Sequence, residues 1–150
     1  MLVPIQDLKD SIELFHSEVE IYPIWLCPFK LPPNEGMLKT KSKTDEMFVD
    51  VGVYGVPKND RQGKNFQYLW NTYQYYFRFD AVSSTRKVEE FVRKVGGFQM
   101  MYADSYMTKE EFREMFDHTL YDTLRKRLNC SGSFPEVYDK VNKSARSGSS

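Results

Sequence analysis

Met47-Phe48-Val49-Asp50-Val51-Gly52-Val53-Tyr54-Gly55-Val56-Pro57 alternates with a period of two. In an extended chain Met47, Val49, Val51 and Val53 share one face, and Phe48, Asp50, Gly52 and Tyr54 share the other. An apolar face of valines has to be covered, so this strand predicts a sheet with a second layer against it. Upstream, Ile21-Tyr22-Pro23-Ile24-Trp25-Leu26-Cys27-Pro28-Phe29 reads as part of another strand, from Glu20 to Phe29. Its internal Pro23 lacks a ladder donor, which predicts an edge or bulged position. Residues 30–46, with Pro, Gly and Lys, form the loop between the two.

Outward from this pair the pattern turns helical. Pro4 suits the first turn of a helix, and Ile5, Leu8, Ile12 and Phe15 follow at helical spacing. Ala81 to Val95 is a second helix, with Val82, Val88, Phe91, Val92 and Val95 inward and Gly96-Gly97 as its stop. Phe98 to Asp104 reads as a third strand. Thr108 and Glu111 have the spacing of a capping box, starting a helix that buries Phe112, Met115 and Phe116. Leu120, Leu124 and Leu128 continue a helical stripe to a turn at Gly132. Pro135 opens a last short helix through Lys143, and residues 144–150 are expected to be disordered. The sum is α+β: an antiparallel sheet flanked by helices.

Composition narrows the function. The 150 residues suit one domain with a core of its own. Twenty-one basic and twenty-one acidic residues cancel, which argues against nucleic acid as a partner, because phosphate binding needs a basic surplus. Eleven Phe, ten Tyr and two Trp serve a core or a surface for a flat apolar ligand. Cys27 and Cys130 match no metal spacing and read as free thiols. No apolar run approaches the roughly 20 residues that span a bilayer. Met1-Leu2-Val3-Pro4 lacks the parts of a signal peptide, so no targeting signal is expected in the chain.

Three segments together carry a resemblance: the strand closed by Trp25-Leu26-Cys27-Pro28, the strand with Asp50, Gly52 and Tyr54, and Phe98-Gln99-Met100-Met101-Tyr102-Ala103-Asp104-Ser105-Tyr106-Met107. They resemble the C-terminal part of the Δ24-sterol reductase family, flavoproteins of the vanillyl-alcohol-oxidase type. The resemblance implies that residues 1–146 are the cap and substrate region, part of a ferredoxin-like sheet that covers the flavin, with 147–150 a disordered tail. It implies FAD as cofactor, NADPH as reductant and a sterol as substrate, with reduction of the side-chain C24–C25 double bond in cholesterol and related sterol synthesis. The FAD-binding half of the family precedes this region, so the fold is expected to be incomplete without it. The chain alone is expected to bind no FAD and to be inactive. The intact protein is expected at the endoplasmic reticulum membrane, associated through parts other than this chain. The alternative is a catalytically inactive, flavin-free interaction module of the same descent.

One stretch departs from the family. Residues 59–77 replace a short connection and carry seven aromatics without a clean period. They read as a lineage-specific loop or as the translation of a retained non-coding segment. The second is favoured, because a surface loop rarely carries so much apolar area.

Reducing an isolated alkene requires a hydride, a placed proton and an apolar setting without water. Alternation over Tyr102-Ala103-Asp104-Ser105-Tyr106 predicts Tyr102, Asp104 and Tyr106 on one strand face. Tyr102 and Asp104 are therefore the candidate catalytic pair, with the plainer alternative that Asp104 caps a turn and the tyrosines pack. Tyr22, Trp25, Asp50, Tyr54 and Tyr106 are the candidate substrate wall, each of the aromatics also a candidate for the core. Strands disfavour Asp, so Asp50 calls for a specific partner or an outward, solvated position. No Gly-x-Gly-x-x-Gly or Walker-type loop is present to cradle a pyrophosphate. Two isolated histidines, His16 and His118, make neither a triad nor a metal site.

Overall fold

The computed structural model describes residues 1–38, 40–55 and 80–144. The segment 59–77 and the tail 147–150 lie outside the described residues.

The alternating strand is the centre of the sheet. It is β3, Glu46–Val53, flanked by β1, Leu2–Pro4, and by β2, Ile24–Leu31. Both pairings are antiparallel, with Leu2 opposite Asp50, Trp25 opposite Gly52 and Phe29 opposite Phe48. β2 begins immediately after Pro23 and lies at the edge, where a residue without an N–H does no harm. Pro4 belongs to β1 rather than to a helix. A short 3₁₀ turn, Ile5–Asp7, leads from it into α1, Leu8–Glu18.

Residues directly opposite in an antiparallel pair share a face. One face of the sheet therefore carries Leu2, Phe48, Asp50 and Gly52, and the other carries Val3, Val49 and Val51. The valine face is covered by Phe15 of α1 and by Val88 and Val92 of α2, Ala81–Val95. The phenylalanine face is covered at one end only. There Phe48 meets Phe98, with ring centroids 5.8 Å apart, and Phe98 stacks on Phe116. Phe48 is 1% and its neighbour Val49 3% exposed, so β3 is buried on both sides at that end. The opposite end of this face, from Asp50 to Tyr54, is left open by the described residues, with Tyr54 70% exposed.

The strand expected over Phe98 to Asp104 is not formed. Phe98 exchanges two backbone hydrogen bonds with Leu2, each 2.7 Å, and the chain then turns, with Ala103 N–H bonded to the Met100 carbonyl. The bridge is antiparallel, so the residues after Phe98 run away from Val3 and Pro4 of β1, and among the described residues they find no strand partner. The Gln99 N–H is taken by the Met115 sulfur instead, at 3.2 Å.

α2 starts at Asp80, whose side chain accepts the Val82 N–H, and stops at Gly96 in the left-handed region. Gly97 is required by packing: a Cβ there would lie 2.4 Å from the Leu2 carbonyl oxygen. Val82, expected inward, is exposed, whereas Glu89, two turns along the same side, is fully buried because Ser105 and Tyr106 close over it. α3, Lys109–Met115, has the capping box that Thr108 and Glu111 predict. α4, Thr119–Arg127, and α5, Val137–Val141, follow. The expected stripe of Leu120, Leu124 and Leu128 faces outward, each at least 40% exposed. Among the described residues no helix is long and apolar enough to cross a membrane.

Candidate functional site

The uncovered end of the phenylalanine face gathers four of the residues singled out by sequence. Trp25 on β2 sits opposite Gly52 on β3. A Cβ on Gly52 would meet Tyr54 Cε2 at 3.2 Å and Trp25 Cβ at 3.5 Å, so both aromatic side chains flank that position. The Tyr54 hydroxyl lies 3.5 Å from the hydroxyl of Tyr102. Asp50, next but one to Gly52 on the same face, adds a carboxylate, 3.2 Å from the Met1 amino group.

Trp25, Tyr54 and Tyr102 are 60%, 70% and 73% exposed. That exposure separates them from the core aromatics Phe48, Phe98 and Phe112. The Tyr102 phenol is raised above its ordinary value, first by the hydrogen bond with Tyr54, then by burial, then by the nearby Tyr54 and Asp50 charges. A phenol held that way stays protonated at neutral pH.

Asp104 and Tyr106 do not join this group. Lys143 reaches both, its Nζ 3.1 Å from the Tyr106 hydroxyl and 3.7 Å from Asp104 Oδ2. The turn after Phe98 breaks the alternation on which a shared face for Tyr102, Asp104 and Tyr106 depended. Tyr22 stands apart as well, its hydroxyl hydrogen-bonded to Nδ1 of His16 in the last turn of α1.

The segment that presents Tyr102 is pinned at both ends. Leu2 holds Phe98, and Glu89 on α2 holds the far end by accepting from Tyr106 N–H at 2.8 Å and Ser105 Oγ at 3.2 Å. Burial pushes the Glu89 carboxyl up, against the pull of those hydrogen bonds and of Arg86. Arg86 grips Glu111 with two bonds of 2.7 and 2.8 Å and also donates to the Tyr106 carbonyl. Sequence reasoning missed Glu89. A Glu three residues after an Arg in an amphipathic helix has the signature of a solvated ion pair, and nothing local says that a distant loop covers it.

A groove of about 570 Å³ opens between Lys41, Arg93, Arg113 and His118. Its cations are already engaged: Lys41 caps the Val95 carbonyl, Arg93 pairs with Glu114, and Arg113 pairs with Asp122. Among the described residues no three His, Cys, Asp or Glu gather as metal ligands. Nor do those residues fit a flavin pyrophosphate, since the adjacent glycines Gly96 and Gly97 are consumed by a helix stop and a backbone crossing.

Against curated proteins, the chain is 47% identical over 146 residues to the Delta(24)-sterol reductase homolog dhcr-24 of Caenorhabditis elegans and 46% identical over 146 residues to the Delta(24)-sterol reductase of Rattus norvegicus. These matches cover 97% of this chain and 25% of each relative. The chain is homologous to the C-terminal portion of the Delta(24)-sterol reductases. The likeness reaches plants, at 33% identity over 156 residues to the Delta(24)-sterol reductase of Arabidopsis thaliana. The chain therefore spans about a quarter of the length of the reductases it matches. No family model and no solved structure matches it.

Proposed function

We propose that, in a protein of the length of these reductases, residues 1–146 supply the substrate wall for reduction of a sterol side chain at its C24–C25 double bond. The observation that carries this reading is the open aromatic end of the sheet, where Tyr54 and Tyr102 meet hydroxyl to hydroxyl beside Trp25 and above Gly52 and Asp50. It is apolar enough for a hydrocarbon, and its polar groups are few and convergent, as ligand sites generally are. The relatives' names supply the substrate class.

In this reading FAD held by polypeptide outside this chain would supply the hydride, with NADPH as its reductant, in an intact protein at the endoplasmic reticulum membrane. The chain's own residues do the rest. Trp25 and the Tyr54 ring pack the side chain and exclude water. Tyr102 holds a proton on its hydroxyl, which Tyr54 can replace after transfer. Protonation of one alkene carbon leaves cation character on the branched carbon, the better-stabilised position, and hydride delivery there completes the reduction. The Asp50 charge favours the protonated phenol before transfer. Asp104, held with Tyr106 by Lys143, acts in this scheme only by fixing the end of the segment that carries Tyr102.

The test is Tyr102→Phe at the aligned position of the rat reductase. The ring is retained and one hydroxyl is lost, so a proton-donating role predicts a fall in kcat of about 100-fold or more, with flavin content and Tm unchanged. A variant with wild-type kcat would remove Tyr102 from the chemistry.

A further inference from the structure

We infer that α5 and the two residues after it form a clasp that sets Tyr102 in place, with Asn142 as its positioning residue. This role rests on the sterol reading, in which the Tyr102 hydroxyl carries the proton.

Tyr102 is 73% exposed, so packing around its own ring does little to place it. Its position is inherited from the backbone that carries it. That backbone is a short loop tied across its ends. The Gln99 side-chain amide donates to the Asp104 carbonyl at 2.9 Å, and the Ala103 N–H bonds to the Met100 carbonyl at 3.2 Å. The first end is held by the exchange between Phe98 and Leu2. The second end runs on into Ser105, Tyr106 and Met107, which lie in none of the helices or strands.

A buried segment outside regular structure has to find a partner for each backbone group. All six N–H and C=O groups of these three residues have one. Tyr106 turns to α2, its N–H donating to Glu89 at 2.8 Å and its carbonyl accepting from Arg86 at 3.1 Å. Ser105 turns the other way: its N–H donates to the Val141 carbonyl and its carbonyl accepts the Lys143 N–H, each at 3.0 Å. The Met107 carbonyl accepts two donors from that same side, Asn142 Nδ2 at 2.8 Å and the Tyr138 hydroxyl at 3.2 Å. The Met107 N–H goes to Ser105 Oγ at 3.3 Å, and that hydroxyl itself donates to Glu89. Successive residues thus address opposite sides, as in a strand between two neighbours. One neighbour is Glu89 with Arg86 on α2; the other is the stretch from Tyr138 to Lys143.

Asn142 is 3% exposed, so its amide bonds the Met107 carbonyl away from competing water, where a lost donor leaves a buried acceptor short. The parallel bridge between Ser105 and Asn142 sets the register that brings this side chain to Met107. Glu89 and the clasp therefore grip the segment from two sides. Slack on either side passes to Asp104, then to the loop, then to the Tyr102 hydroxyl, which meets that of Tyr54 at 3.5 Å. Misplacing a reacting group by about 1 Å costs on the order of 100-fold in rate.

The experiment strips the Met107 carbonyl of its donors. Asn142→Ala and Tyr138→Phe each remove one, and the double variant removes both. Amide hydrogen exchange in the 150-residue chain is read at Ala103, whose bond closes the loop under Tyr102, with Val92 in α2 as the reference for the rest of the fold. The clasp predicts exchange at Ala103 faster by about tenfold or more in the double variant, a smaller rise in each single one, and no change at Val92. Unchanged exchange at Ala103 would overturn it. So would an equal rise at both amides, which is a loss of general stability. If the double variant does not fold, Asn142→Ala carries the same comparison. The variants are then taken into turnover in a rat reductase whose aligned stretch is exchanged for residues 1–146. There the double variant should lower kcat by about tenfold or more against the unsubstituted exchange, with KM and flavin content unchanged. Full kcat despite a loosened loop, or an effect confined to KM, would overturn the positioning role. The sterol reading fails separately, through wild-type kcat for Tyr102→Phe in the same protein, and the ratio of exchange at Ala103 and Val92 then still decides whether the clasp sets the loop.

Discussion

Glu89 is the residue on which the site's geometry most depends. Its carboxylate, fully buried, is the acceptor for Tyr106 N–H and Ser105 Oγ, and those two bonds hold the segment bearing Tyr102 and Asp104. Glu89→Ala leaves both donors buried without a partner, a loss of about 1–3 kcal/mol per unsatisfied group, and Tm should fall by several degrees. Glu89→Gln keeps an acceptor and should fall less. The sign of the pH dependence also differs from that of most carboxylates. Burial raises the Glu89 carboxyl, so its contribution to stability is full below the unfolded value and declines as pH rises through the folded one. Glu89→Gln should remove that decline from a plot of Tm against pH; a plot unchanged by the substitution would contradict the assignment. The polar anchor was invisible in the sequence, because burial of an isolated Glu depends on a loop sixteen residues away. Trp25, Asp50 and Tyr54 were legible for the opposite reason: a period of two assigns faces from neighbours alone.

Among the elements, α3 shows how local chemistry and tertiary contact reinforce each other. Glu111 closes the capping box with Thr108 and is clamped by Arg86, with Arg93 adding its charge at 3.3 Å. These contacts, the Arg86 hydrogen bond foremost, draw its carboxyl from the ordinary 4.5 down to about 2. A depressed carboxylate stabilises above its unfolded pKa and loses that effect as pH falls through the folded one. The wild-type chain should therefore lose stability between about pH 4.5 and pH 2, and Glu111→Gln should be less stable at neutral pH and flatter across that window. Equal acid profiles for the two, by circular dichroism, would contradict the account. The capping box, α2 and β3 were readable because their signals are local. The strand expected after Phe98 was not, because a strand needs a partner along its length and the residues after Phe98 run antiparallel away from β1. Leu120, Leu124 and Leu128 form the helical stripe that their spacing predicts, and it faces outward, because spacing makes a stripe but only a neighbouring element makes it a core.

For the whole molecule, the described residues form an α+β unit whose sheet is covered on one face and half-covered on the other. Residues 59–77 lie between β3 and α2 in the chain and are read from the sequence as an insertion. Their deletion should leave Tm unchanged or higher; a fall of several degrees, about 1 kcal/mol or more, would show them packed into the domain. The central claim is that the half-covered face is the wall against which a sterol side chain is reduced. The most direct measurement is photoaffinity labelling of the full-length rat reductase with a Δ24-unsaturated sterol carrying a photoreactive group at the end of its side chain, followed by peptide mapping. The account predicts labels at the positions aligned with Trp25, Tyr54 and Tyr102, suppressed by excess unlabelled sterol. Competed labels confined to other parts of the protein, with none on these three positions, would contradict it.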